Sequence, residues 1–258
     1  MIYPMFWMLS SSFKPSNEIF TSEYFFPKVF TIENYLIGWK GMSGYTFGHF
    51  FLNSFFVTFM CVLGNLISCS MAAYAFAKLK FAFKNILFTI MMATLMLPFH
   101  VTLIPQYIIF NKLGWINTYL PIIVPKFFGV QAFFIFLLVQ YMRTIPNEII
   151  DAAKIDGCNV FGIYIRLMIP LSVPAIVTTA ILTFMWTWND FLSQLLYLND
   201  VSKFTIAIAL RMFVDATSGS SFGAMFAMSL LSIVPLFIVF VLFQKYIVEG
   251  IISGSIKG

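Results

Sequence analysis

Long stretches of this chain run without a charged side chain far enough to cross a membrane, among them residues 50–77, 171–190 (Asp190 closing the run) and 222–244. A helix of about 20 mostly apolar residues crosses the ~30 Å hydrocarbon core. A soluble domain of ordinary composition is about 25% charged. Here charged residues are 10% and hydrophobic residues 60% of 258, too few polar groups to cover a globular surface. Transmembrane β-barrels are built from alternating segments of about ten residues, and that pattern is absent. The chain reads as an all-α integral membrane protein.

The apolar pattern predicts five complete spans, at 50–77, 85–110, 119–142, 171–197 and 222–246, giving a transmembrane core over 50–246. None of the five is expected to hold an acidic or basic residue near its centre. Pro98 and Pro105 interrupt the second span, and Pro121 and Pro125 lie in the opening turns of the third. Proline removes a backbone donor and kinks a helix. In a bilayer this suits either a pathway-lining bend or a bend made for packing. Residues 1–9 are apolar but too short to cross, since nine helical residues reach only ~14 Å. They read as the outer end of a first span whose start lies upstream. Residues 10–49 then fall outside the cell and 247–258 form a cytoplasmic tail.

Orientation follows the excess of basic residues in short cytoplasmic loops. Lys78, Lys80 and Lys84 cluster between the first two complete spans with no acidic residue among them, which places that loop inside. Alternation brings 144–170 and the C-terminus inside too. The net charge of +5 is spread beside apolar runs, so it speaks for topology rather than nucleic acid. Cys61 and Cys69 lie within one span and Cys158 stands alone, while His49 and His100 are isolated. No disulfide framework or metal set follows. A transporter driven by ions would want ionisable residues at mid-membrane, and an intramembrane enzyme a catalytic set there. Neither pattern is expected here.

The segment richest in signals is 144–170, TIPNEIIDAAKIDGCNVFGIYIRLMIP. Thr144, Pro146, Asn147 and Glu148 are helix-start signals: a cap candidate, an early proline and acid at the positive helix end. Gly157 suits the left-handed residue that ends a helix. Asn159 is placed to cap a second helix, with Phe161, Tyr164 and Ile165 spaced to share one side. Pro170 is expected to start the next span. An amphipathic pair on a soluble loop needs a surface to receive its apolar face, either lipid headgroups or a groove on a partner.

These residues resemble the EAA loop of binding-protein-dependent ABC importer permeases, in which E-A-A is followed by Gly and then I-x-L-P. The counterparts are Asp151, Ala152, Ala153, Gly157, Leu167, Ile169 and Pro170. Asp replaces the leading Glu, and Leu and Ile are exchanged at the end. The likeness extends to residues 5–15, 96–125, WTWNDFL at 186–192 and the tail at 248–258, as in MalG-type permeases of the sugar importers. It implies the type I ABC importer (MetI-like) fold, with five complete spans and the end of a truncated first one. It further implies that Asp151, Ala152, Ala153, Gly157, Phe161 and Pro170 couple to an ATPase, and that Ser253, Gly254, Ser255 and Lys257 contact it.

By the same resemblance the partners are two ATP-binding-cassette ATPase subunits, a second, MalF-like permease, an extracellular solute-binding protein and lipid. The cargo would be a di- or oligosaccharide, with glycerol phosphate or a polyol as alternative, in a bacterial plasma membrane. No G-x-x-x-x-G-K-[ST] motif occurs, so ATP and Mg would bind to the partner ATPase and no cofactor to this chain. Trp186, Trp188, Asn189 and Asp190 form a polar-aromatic group that reads either as substrate pathway or as an interfacial aromatic belt. Asn53, Asn65 and Ser68-Cys69-Ser70 read as helix-packing residues. The run at 213–221, FVDATSGSS, reads as a linker, and by resemblance as a loop reaching into the solute-binding protein.

Overall fold

The computed structural model describes residues 2–21, 24–214 and 221–255, the last nine by backbone alone. All regular structure among them is helical, apart from one isolated bridge between Met42 and Tyr45. In chain order the helices are α1 (Tyr3–Ser12), α2 (Glu33–Lys40), α3 (Phe47–Lys78), α4 (Lys84–Thr94), α5 (Phe99–Lys112), α6 (Leu120–Ile123), α7 (Ala132–Thr144), α8 (Asn147–Ile155), α9 (Val160–Ile163), α10 (Ile169–Leu171), α11 (Val173–Trp188), α12 (Leu192–Tyr197), α13 (Ile206–Met212) and α14 (Phe222–Ser255). A 3-10 turn, Val124–Phe128, follows α6, and a π turn, Tyr164–Met168, joins α9 to α10.

Three helical stretches are long and apolar enough to cross a membrane by themselves: Phe47–Lys78, Leu120–Thr144 and Phe222–Tyr246. The count reaches five when two bent pairs are each taken as one span. The expected second span is such a pair, α4 and α5 meeting at 100°. Pro98 causes the break, standing in extended conformation before α5, because a proline pushes the residue before it out of the helical region. Pro105 does not interrupt anything; it lies inside α5. The expected span at 171–197 is shorter: α11 ends at Trp188 and Leu192–Tyr197 is a separate helix. Residues Val160–Leu171 meet α11 at 79°, so Pro170 sits in the helical arm before the bend rather than at the start of the span.

The chain divides into two compact units. One comprises residues 1–56, 117–119 and 188–239. Within it the buried Asn34 amide donates to Ser12 O (2.8 Å) and Lys14 O (2.7 Å). His49 Nε2 lies 2.6 Å from Ser202 O, and Asn53 donates to Ser202 O and Phe204 O at 2.9 Å each. These bonds hold α3's first turns to the segment before α13.

The other unit comprises residues 57–116, 120–187 and 240–258. Its core joins Ala73 and Tyr74 of α3, Phe134, Leu138 and Met142 of α7, Ile150 and Ala153 of α8, and Ile163 and Met168 beyond them. The helices α8 and α9 and two spans thus share one apolar cluster. Burying a side chain such as Ile150 contributes about 1.5–3 kcal/mol, which fixes α8 on the ends of the spans.

The broken span Leu120–Thr144 carries an unexpected feature. Its helix is interrupted by the 3-10 turn and by Gly129, whose φ of +66° is left-handed, and restarts at Ala132. Lys126 lies in that break, against the second half of α3: Ser68 Oγ donates to Lys126 O at 2.6 Å. Lys126 thus stands in the first third of the span Leu120–Thr144 rather than at its end. Apolar neighbours on both sides of Lys126 hide it in any average over the run.

Candidate functional site

The segment 144–170 folds as two short helices at a turn, closely as its signals predict. α8 begins after Pro146, with Glu148 in its first turn. Thr144 is not its cap, because its hydroxyl bonds back to Tyr141 O at the end of α7. At the far end Gly157 has φ +82°. Its N–H reaches Lys154 O at 3.0 Å and the Cys158 N–H reaches Ala153 O at 2.9 Å, the paired bonds of a Schellman end. Asn159 Oδ1 then accepts from Gly162 N at 2.7 Å and caps α9. Proline at position 170 cannot donate to Arg166 O, and its ring crowds that carbonyl. The π turn Tyr164–Met168 widens the helix just there, and such turns are frequent at functional sites.

Two faces result. Ile150, Ala153, Ile163 and Tyr164 are buried against the unit. Ile149, Ile155, Val160, Phe161 and Ile165 are exposed, Ile155 at 87% and Phe161 at 59%. Tyr164 thus faces inward, away from the side shared by Phe161 and Ile165. Of the paired alanines, Ala152 is exposed and Ala153 buried. Asp151 and Lys154 make an exposed ion pair at 2.8 Å. The Lys154 hydrogen bond, aided by its charge, holds the Asp151 carboxyl below its ordinary value. The outcome is an outward apolar patch of isoleucines and one phenylalanine, edged by charges.

The patch is held by three residues of α3: Ser70, read from sequence as packing, Lys78, read as topology, and Tyr74, which sequence did not single out. Ser70, Tyr74 and Lys78 stand four apart and so line one face of the helix. The Ser70 and Tyr164 hydroxyls share a 2.6 Å hydrogen bond. Tyr74 Oη donates to Val160 O at 3.3 Å, and its ring stands 5.6 Å from that of Tyr164. Lys78 Nζ donates to Ile145 O (2.5 Å) and Asn147 Oδ1 (3.0 Å). Both loop helices are therefore gripped by one rail of a single span. The sequence signal was present, as polar groups at i, i+4 and i+8 on an apolar helix, but the partner was not visible.

The pathway candidates separate. Trp186 is half-exposed, its ring 4.9 Å from Phe134 and 5.5 Å from Phe133. Trp188 belongs to the other unit; it is buried, its Nε1–H donates to Ser232 O at 3.1 Å, and its ring packs on Phe55. Asp190 Oδ1 accepts from Ser193 N at 3.1 Å and steadies the start of α12, while Asn189 is exposed. Ser68 and Ser70 do pack helices, through Lys126 O and Tyr164, while Cys69 Sγ bonds to Asn65 Oδ1 within α3. Asn65 in turn donates to Thr183 at 2.7 Å. Among the described residues no cluster of His, Cys, Asp and Glu forms a metal site. The side chains of Ser253, Gly254 and Ser255, all of Lys257, and most of the 213–221 run lie outside the described residues.

Comparison with known proteins adds three findings. Residues 64–253 match the family described as binding-protein-dependent transport system inner membrane component. The chain is 38% identical to the probable ABC transporter permease protein YurM of Bacillus subtilis over 99% of its own length and 84% of that protein's. It is 33% identical to the arabinooligosaccharides transport system permease protein AraQ of Halalkalibacterium halodurans, covering 100% of this chain and 91% of that one. Among solved structures, a chain of a bacterial ABC transporter involved in the import of the acidic polysaccharide alginate superposes with a TM-score of 0.84 at 23% identity. That match covers 95% of this chain and 90% of the other, and shows a shared fold.

Proposed function

Because this chain belongs to the family of binding-protein-dependent transport system inner membrane components, we propose that it carries a saccharide across the membrane by alternating access driven by ATP hydrolysis on partner subunits. As a family member it is a membrane-embedded ABC importer permease with ATPase and solute-binding partners, and not an enzyme. Pairing with a second, different permease is part of the proposal. So is the cytoplasmic placement of the 144–170 loop and the C-terminus, with ATP and Mg held by the ATPase.

The observation that carries this reading is the exposed apolar patch around Phe161, rigidly based on the buried Ile150 and Ala153. An ATPase cleft that closes around ATP pushes on the patch, and hydrolysis releases it. The Ser70–Tyr74–Lys78 rail passes the displacement into α3. Asp151, Ala152, Ala153, Gly157 and Pro170 shape the two-helix platform, and Phe161 is its projecting knob. A saccharide cargo is supported by AraQ, whose name states arabinooligosaccharides, and by the NgcG relative from Streptomyces coelicolor, named for diacetylchitobiose uptake. Trp186, half-exposed, offers a ring face to a passing sugar.

The test is mass spectrometry of what co-purifies from native membranes in mild detergent, repeated for Phe161→Asp. Recovery of an ATPase, a second permease and a binding protein, with the ATPase lost from the mutant, is expected. A chain that purifies alone and transports in proteoliposomes without ATP would overturn the reading. ATPase recovery unchanged by Phe161→Asp would remove that residue from the contact.

A further inference from the structure

We propose that the break at Val124–Phe128 lines the aqueous translocation pathway, and that Lys126 within it pairs with an acidic group on the transported saccharide. The proposal rests on the importer reading and names the substrate class more narrowly.

Depth comes first. α3 is a continuous helix ending at Lys78, and Ser68, bonded to Lys126 O, lies ten residues before that end. At 1.5 Å per residue this is about 15 Å, half of a ~30 Å hydrocarbon core. The neighbouring contact agrees, since Phe127 lies directly over Gly64, one turn further along. Lys126 therefore lies within the apolar span Leu120–Thr144, well in from the end of α3. An ionisable residue at that depth marks a substrate or ion path when it faces water or a partner charge.

The local backbone is irregular by construction. Where the helix is interrupted, carbonyls lose their internal donors. Side chains of α3 bond two carbonyls there, Cys61 Sγ on Ile122 O and Ser68 Oγ on Lys126 O, while Gln131 O accepts from Phe134 N and Ile135 N of α7. Non-helical backbone at membrane depth persists only where protein covers it or where it borders a wet cavity. The α3 side is covered in this way. On the other side Phe127, Phe128 and Val130 are exposed and Lys126 is half-buried.

The charge lacks an internal match. Among the described residues the one salt bridge is Lys154–Asp151. No acidic residue occurs anywhere between Glu33 and Glu148. An ammonium inside this span, with no carboxylate on α3, α6, α7 or α11, has to be balanced by water and an anion. In a pathway that carries sugars, a carboxylate-bearing saccharide such as a uronate supplies that anion, together with hydroxyls for the ammonium's remaining donors.

The experiment uses the complete importer in proteoliposomes, with Cys158→Ser to remove the one partly exposed native thiol. Val130→Cys is treated with sulfonate-bearing and trimethylammonium-bearing thiosulfonate reagents, with Lys126 present and in Lys126→Met. The anionic reagent is expected to react about tenfold faster, since a nearby unit charge in water shifts the two rates oppositely by about threefold each. The ratio should fall toward one in Lys126→Met. A galacturonate trimer should slow the modification where maltotriose does not. Should Val130→Cys assemble poorly, Lys126→Cys replaces it, and modification there by both water-soluble reagents is expected.

Cysteines unreactive at both positions would place the break against lipid or protein and overturn the proposal. So would a reagent ratio indifferent to Lys126, or loss of the second permease from Lys126→Met, which would assign the charge to a partner carboxylate. Equal protection by maltotriose, or none by the uronate, would overturn the acidic-saccharide assignment. Failure of the unmodified chain to recover an ATPase would instead defeat the importer reading itself.

Discussion

Replacing Gly157 isolates the effect of one backbone angle on the coupling platform. Its φ of +82° is left-handed, and a Cβ built there meets no atom within 4 Å. Any penalty within the chain is thus conformational. An alanine held left-handed costs about 1–2 kcal/mol; asparagine tolerates the region better, and a β-branched valine worse. That energy opposes the two bonds closing the turn, Gly157 N to Lys154 O and Cys158 N to Ala153 O. When they open, α9 and Phe161 lose their fixed position relative to α8. A 1–2 kcal/mol penalty lowers the formed-to-open ratio about five- to thirtyfold. The assay is the ATPase recovered per permease, with the inserted permease level as control. Recovery should fall in the order Gly, Asn, Ala, Val, and transport should fall with it. Valine at wild-type recovery would refute the reasoning. An asparagine variant as poor as valine would show that bulk against the partner, not φ, sets the loss.

Ser70→Ala and Tyr164→Phe each remove one side of the 2.6 Å hydroxyl bond and should each lower stability in detergent by about 1 kcal/mol. The double mutant should cost little more than either single one; full additivity would mean the bond is not what holds α3 to the loop. Gly64→Ala places a Cβ 2.5 Å from the Phe127 ring and should destabilise by about 1–3 kcal/mol. Phe127→Leu should recover part of that loss, and no rescue would count against the close approach. The Asp151 carboxyl is held below its ordinary value by Lys154. Its contribution is therefore complete above that ordinary value and is lost only as pH falls through the lower folded one. ATPase recovery should show no Asp151-dependent change between about pH 5 and 8, and a change abolished by Asp151→Asn would contradict this.

Much of the coupling loop was legible because its determinants are local. Gly157 and Asn159 act within a few bonds of their own backbone, so their residue types predict a left-handed turn and a cap wherever the segment sits. The failures within the loop have equally local limits. Thr144 could serve either neighbouring helix, and it serves the preceding one. Tyr164 follows Phe161 at helical spacing, yet it turns inward because Ser70 and Tyr74 stand there to receive it. The polar-aromatic group at 186–190 looked like one site because its members adjoin in the chain. Residues two apart on a helix face different ways, and Trp188 is buried where Trp186 is exposed.

By itself the sequence determined that the chain is helical and lives in a bilayer, since nothing else satisfies long uncharged runs and their backbone polar groups. It also determined the two-helix turn at 144–170, through short-range turn and cap chemistry. Only the tertiary structure decided that Ser70, Tyr74 and Lys78 form a rail under that platform, because a hydrogen bond across 94 residues leaves no local trace. Only the tertiary structure placed Lys126 beside Ser68. Depth in a membrane is a property of which helices lie side by side, and hydropathy averaged along one segment cannot resolve a single charge within a break.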